Sequence, residues 1–157
     1  MNKPVAVSYA RTFPSAPDTT FDLILPTPLP ELFHRRYGPI PPIKSVEGQV
    51  GVWGSVGQTR TIRLADGGSM REELTRVDRP GAFGYTITGV TGPMKPLVAT
   101  VDGLWTFEPD GAGTRITWQW TIQPASALAA PLMPVFGALW RRYAARSFDT
   151  IGALLTA

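Results

Sequence analysis

Three side chains equipped for chemistry, Arg60, Glu72 and Tyr85, fall where strand alternation turns them to one apolar face. A carboxylate and a guanidinium on such a face must pair with each other or meet a polar ligand group, because desolvating either one alone is expensive. Glu72 in a dry pocket would have a shifted pKa and is the candidate acid or base. Arg60 and Tyr85 would then donate to a ligand carbonyl or an enolate. Two readings of the pair stand side by side: a satisfied internal salt bridge, and a polar anchor facing a ligand. Tyr85 likewise reads as a hydroxyl donor or as plain core.

Other chemistry is poorly provided for. The chain has no cysteine, which excludes disulfides and thiolates, and one histidine, so neither a metal site nor a cofactor is expected. His34, beside Arg35 and Arg36, has no predicted carboxylate partner and reads as a solvated surface residue. There is no Gly-x-Ser-x-Gly elbow. Gly54-Ser-Val-Gly57 lacks the following Lys-Ser/Thr of a phosphate loop. Asp102 falls on the solvent face. Beyond Glu72, no catalytic residue is indicated.

The elements that hold these residues are short, punctuated by 16 prolines and 16 glycines. Residues 5–13 and 20–25 read as extended, 28–38 as a short helix with proline at its start and glycine at its end, and 40–46 as at best one helical turn. Glycines 48, 51, 54 and 57 make a loop in which Trp53 is either a lid or an anchor. From 58 to 123 the pattern is of strands, 58–64, 69–78, 83–91, 97–108 and 115–123. Asp66-Gly67-Gly68, Arg79-Pro80-Gly81 and Asp110-Gly111-Ala112-Gly113 supply the turns. After Pro134 the period becomes helical for about twenty residues. Phe136, Leu139, Tyr143, Ser147, Ile151 and Leu154 share the inward face, while Arg141, Arg142, Arg146 and Asp149 lie elsewhere. The class is α+β, one domain over 1–157, with short helices between the first strands.

Alternation also predicts register, since a one-residue slip moves every side chain to the other face. Pairing Phe107 with Ile116 sets Trp105 opposite Trp118 and Gly103 opposite Trp120, with Glu108 meeting Arg115 on the outer side. A turn at Arg79-Pro80 pairs Leu74 with Tyr85 and Glu72 with Ile87, so Glu72 shares a face with Met70, Phe83 and Tyr85. Aligning Leu64 with Met70 makes Arg60 a diagonal neighbour of Glu72. The tryptophan stripe 105, 118 and 120, with Trp140 and Tyr143 on the helix, reads either as core or as a cavity wall.

Composition narrows the partners. Hydrophobic residues make up 43% and charged residues 17%, against roughly 25% charged in an average domain. Twelve of the fifteen basic residues are arginines, which lifts the pI to about 9.6 with a net charge of only +3. They form no run longer than Arg35-Arg36 or Arg141-Arg142, so nucleic-acid binding is not expected. Prolines 124, 131 and 134 interrupt the uncharged run 116–140, which excludes a 20-residue apolar helix and stable membrane insertion. The start of the chain, with Lys3 but no apolar stretch behind it, does not read as a signal peptide, and a cytoplasmic location is expected.

Taken in order, several stretches share one register. They are Leu29 to Tyr37, the glycine-rich Val52 to Arg63, Asp66-Gly67 with Glu72, Asp78-Arg-Pro before Phe83-Gly-Tyr85, Trp105-Thr-Phe107 and Gly113-Thr-Arg-Ile-Thr-Trp118. With the terminal helix this arrangement resembles the START-like (SRPBCC) superfamily, in its polyketide cyclase/dehydrase-like branch. The resemblance implies a helix-grip fold, a curved antiparallel sheet wrapped around a long C-terminal helix with a hydrophobic cavity between them. With the strand register and helix phase above, the expected ligand is lined by Arg60, Glu72, Phe83, Tyr85, Trp105, Trp118, Trp120, Leu139 and Tyr143. Three functions follow from it: a carrier of a lipid-like or polycyclic molecule; a cyclase or dehydratase using Glu72 with Arg60 and Tyr85; and an interaction module such as a chaperone co-factor. The expected partner is a hydrophobic small molecule; oligomeric state is left open.

Overall fold

A computed structural model describes residues 3–157. In chain order the elements are β1 (Val5–Phe13), α1 (Pro17–Ile24), α2 (Leu29–Leu32), β2 (Ile43–Glu47), β3 (Thr59–Leu64), β4 (Ser69–Asp78), β5 (Ala82–Thr91), β6 (Val98–Asp110), β7 (Gly113–Pro124) and α3 (Met133–Leu155). The described residues form one antiparallel sheet of seven strands in the order β1-β7-β6-β5-β4-β3-β2. Strands β2 to β7 are joined by successive connections between neighbours, and β1 closes the far edge beside β7.

Side-chain alternation gives the sheet its two faces. Met70, Glu72 and Leu74 on β4, Val101, Trp105 and Phe107 on β6, and Ile116, Trp118, Trp120 and Ile122 on β7 are buried on the inner face. Arg71 and Glu73 between them are exposed. Two irregularities interrupt the β4–β5 pairing, between Ser69 and Arg71 and between Leu74 and Arg76, and such irregularities bend a strand and increase its twist. The registers Phe107 to Ile116, Trp105 to Trp118, Gly103 to Trp120, Leu74 to Tyr85 and Glu72 to Ile87 are those expected from alternation. In β3–β4 the expected register is off by two residues. The Leu64 amide bonds the Gly68 carbonyl at 2.9 Å and closes a tighter turn. Ile62 therefore faces Met70, and Arg60 faces Glu72 directly rather than diagonally.

Helices α1 and α2 pack on the same face as α3. Phe21 meets Phe83 and Phe107 edge-on at 5.8 and 5.3 Å, and Phe33 stacks on Tyr143 at 6.1 Å. Three local expectations are corrected here. Residues 20–25 are not a strand; Pro17 opens a helix at a position that tolerates proline, and Thr20, Phe21 and Ile24 form its buried face. Alternation of Phe21, Leu23 and Leu25 mimics an extended pattern there. Residues 40–46 are not a helical turn, because Ile43–Glu47 pairs with β3 as the edge strand. The helix expected over 28–38 ends after one turn, at Leu32.

The inward face of α3 keeps Phe136, Tyr143, Ser147 and Ile151 of the expected set, with its centre shifted toward Trp140, Ala144 and Phe148. Its buried stripe runs through Met133, Phe136, Trp140, Tyr143, Ala144, Phe148 and Ile151. Leu139 and Leu154 are half-buried flanks. Phe148 sets this phase: it stacks on Trp105 at 5.7 Å and meets Tyr9 edge-on at 4.9 Å. Truncating it to alanine should cost about 3–5 kcal/mol, and Arg142→Ala on the exposed side less than about 0.5 kcal/mol. Urea unfolding of the two variants checks the phase, and equal losses would contradict it.

Candidate functional site

Between the sheet, the N-terminal half of α3 and the α1–α2 segment lies a cavity of about 80 Å³ with an almost wholly apolar lining. The polar side chains that break the lining are Arg60, Glu72, Tyr85 and Tyr143, together with the tryptophan N–H groups. Arg60 and Glu72 each have side chains only 4% exposed, and the Arg60 Nε donates to Glu72 Oε1 at 2.6 Å. Arg60 also donates from Nη1 to Gln49 Oε1 at 3.2 Å, and its guanidinium lies 3.7 Å from the centre of the Trp53 ring. The cation is thus held by a carboxylate, an amide and an aromatic face together.

Trp53 comes from the glycine-rich loop, yet it is fully buried. The Gln58 side chain holds that loop. Its Oε1 accepts the Gly54 and Ser55 amides at 2.8 and 2.7 Å, and its Nε2 donates to the Val50 and Val52 carbonyls at 3.0 Å each. One side chain so satisfies four backbone groups of a segment with no regular structure. The sequence reading missed Gln58, whose role depends on a loop path that no local pattern encodes.

Glu72 has only one of its two oxygens hydrogen-bonded among the described residues. Burial pushes its carboxyl above the ordinary value of 4.5, against the opposing pull of Arg60. The Tyr85 hydroxyl accepts the indole N–H groups of Trp118 and Trp120 at 2.9 and 2.8 Å. Both lone pairs are engaged, so what the hydroxyl has left to offer is its own proton. Burial, reinforced by the charge of Glu72, raises the phenol above its ordinary range and keeps that proton in place. Gly103 makes this geometry possible. It sits on β6 between Tyr85 and Trp120, and a Cβ there would overlap the Tyr85 ring, which lies across it to reach β7. Burial raises the Tyr143 hydroxyl likewise. The Trp140 indole N–H is buried without an acceptor among the described residues.

Of the residues expected around a ligand, the structure brings Arg60, Glu72, Phe83, Tyr85, Trp105, Trp118, Trp120 and Tyr143 onto this one wall. Leu139 is not among them; it lines a separate outer groove of about 260 Å³. Phe33, Met94 and Ile24 line the cavity without having been singled out, because their segments were misread or unassigned. His34 is exposed and 3.3 Å from Thr150 Oγ1, and Asp102 accepts the Thr86 hydroxyl at 3.0 Å on the outer face. Among the described residues no group of three His, Cys, Asp or Glu side chains is placed to hold a metal ion, and no helix is long and apolar enough to cross a membrane. The arrangement provides a carboxyl with a raised pKa, a phenol committed to donating and a guanidinium, all in an apolar pocket.

A family model described as polyketide cyclase / dehydrase and lipid transport matches residues 4–156. No curated protein sequence matches the chain. Among solved structures, ginseng major latex-like protein 151 from Panax ginseng superposes with a TM-score of 0.70 at 13% identity, over 96% of this chain and 97% of that one. Ara h 8.0201 does so with 0.67 at 19% identity, over 98% of each chain. Protein Ms6760 from Mycobacterium smegmatis gives 0.65 at 22% identity, over 97% of this chain and 91% of that one. At these identities the likeness is one of fold: a curved sheet gripping a long C-terminal helix.

The raised carboxyl has a consequence for stability. Above pH 4.5 the folded chain keeps a proton on Glu72 that the unfolded chain has lost. That contribution is full below this pH and disappears as pH rises through the folded value. The melting temperature of the native chain should therefore fall more steeply across this window than that of Glu72→Gln, in which the other groups are unchanged. Parallel curves in calorimetry would mean that Glu72 ionises at its ordinary pH.

Proposed function

The chain belongs to the polyketide cyclase / dehydrase and lipid transport family, and from that premise we propose that it binds a hydrophobic small molecule, lipid-like or polyketide-like, in the cavity between the sheet and α3. The proposal treats the chain as one ligand-binding domain acting in the cytoplasm. The single observation that carries it is the placement of the buried Arg60–Glu72 pair and the Tyr85 hydroxyl in the wall of an otherwise apolar cavity. A core built for stability alone gains little from such a pair, since hydrophobic residues of similar volume commonly serve as well or better. On this reading the polar groups orient a ligand that the apolar wall retains.

Native mass spectrometry of freshly purified protein should show a co-purifying hydrophobic molecule. A panel of apolar ligands should bind one to one and perturb tryptophan emission. Saturation at about 100 times Kd should add roughly 2.7 kcal/mol of stability. No thermal shift across a broad panel would sink the proposal.

A catalytic reading has its own support in the raised carboxyl of Glu72 beside a phenol that stays protonated. In a cyclase or dehydratase Glu72 would move the proton, while Tyr85 and Arg60 stabilise the enolate oxygen. Glu72→Gln keeps the shape and part of the hydrogen bonding. Binding should survive in it while turnover of a polyketide-like substrate falls by about 10²–10⁴-fold. Undiminished turnover would remove Glu72 from the chemistry.

A further inference from the structure

The cavity is too small for the ligand class that its lining suggests. A dry cavity of about 150 Å³ is what accommodates one benzene ring, and this one measures about 80 Å³. The outer groove is more than three times larger, at about 260 Å³. The two voids are not independent. Ile40, Pro41, Leu64, Met94 and Phe136 line both, so these five side chains are the partition between them. Apart from the unbranched, flexible thioether of Met94 and the ring of Phe136, the partition is short aliphatic side chains.

The chemistry of the two compartments is opposite in kind. The inner one holds the polar groups, and among the described residues it offers two donors without an acceptor, the Tyr85 proton, whose oxygen is saturated by two indoles, and the Trp140 N–H, beside the second carboxyl oxygen of Glu72 and the Tyr143 hydroxyl. In the groove the one charged lining residue is Asp66, whose Oδ1 accepts the Gly68 amide at 2.8 Å. Its rim carries apolar side chains that the fold leaves in water, Leu132 at 51% and Val135 at 63% exposure.

We infer that the ligand is an elongated molecule occupying both compartments. A short head bearing a carbonyl-type acceptor reaches the donors of the inner cavity, and a larger apolar body passes the Met94–Phe136 partition to lie in the groove along the first turns of α3. The inference rests on the binding proposed above and adds to it the polarity, the length and the direction of the ligand. It also gives Leu139 a place: it contacts the body of the ligand and not the head.

A series of methyl ketones from 2-pentanone to 2-tridecanone, with n-alkanes of equal length, tests this by titration of tryptophan emission. Affinity should climb by about fourfold per added methylene well beyond the shortest members, and each ketone should bind more tightly than its alkane. Val135→Asp adds a carboxylate to the groove rim in the first turn of α3, where a negative charge suits the helix. It should flatten the gain for long ketones and leave 2-pentanone unchanged, and Leu132→Asp in the preceding turn should do the same. Tyr85→Phe should erase the preference for ketone over alkane at every length. A gain that stops at the short ketones, or aspartate variants that bind long ketones as the native chain does, would overturn the two-compartment ligand while leaving the cavity reading intact. Survival of the ketone preference in Tyr85→Phe would overturn the assignment of the head. If no ketone or alkane of any length is bound, the parent proposal falls.

Discussion

The spacing between sheet and α3 is set by aromatic rings, and several of the same rings line the cavity. Phe148 stacks on Trp105 at 5.7 Å, Trp105 on Trp118 at 5.2 Å and on Phe83 at 6.0 Å. Flat rings in contact hold two elements at a fixed distance, since interiors are packed too tightly to yield gradually. Trp140 against Trp118, at 4.6 Å, continues the prop toward the start of the helix. Phe136, one turn earlier on α3, joins Phe83, Trp105, Trp118 and Trp140 in lining the cavity.

Into that gap the strands bring groups that a core does not ordinarily contain. Each is held by a neighbour whose role is geometric. Gly103 lets Tyr85 lie flat across β6, and the indoles of β7 fix the direction of its hydroxyl. Trp53 covers the Arg60 guanidinium, and Gln58 keeps Trp53 in place. The polar centre is thus specified from both sides, by β5 to β7 beneath and by the glycine-rich loop above. A binding centre whose own side chains are locked loses little further freedom when it is filled.

Much of this was legible in the sequence, for identifiable reasons. Where apolar alternation and an outer charge pair agreed, as with Phe107–Ile116 and Glu108–Arg115, the register followed. The β3–β4 register did not, because two closures of the Leu64–Ser69 turn keep the same parity and alternation cannot choose between them. A two-residue shift leaves both faces unchanged, so Arg60 and Glu72 were still assigned to the inner face. The phase of α3 was ambiguous in the same way. Leu139 and Trp140 head two stripes of equal apolar weight, and the choice is made by partners on β1 and β6 that local spacing does not reveal. The cover formed by α1, α2 and Trp53 was the least legible part, since its positions come from tertiary contacts.

The strand order has a consequence for how the chain is made. β1 is the first strand synthesised, yet its partner is the last: Val5 pairs with Ile122 and Phe13 with Thr114. Until β7 has emerged from the ribosome, a nine-residue strand has nowhere in its own sheet to go. Pairings across so long a stretch of chain are slow to form, and a waiting strand edge invites association with other chains. The charge that β1 carries toward α3, Arg11, finds its partner Asp149 later still, in the second half of that helix. Among the strands of this sheet, β1 therefore comes first in chain order and is completed only when β7 is there to receive it.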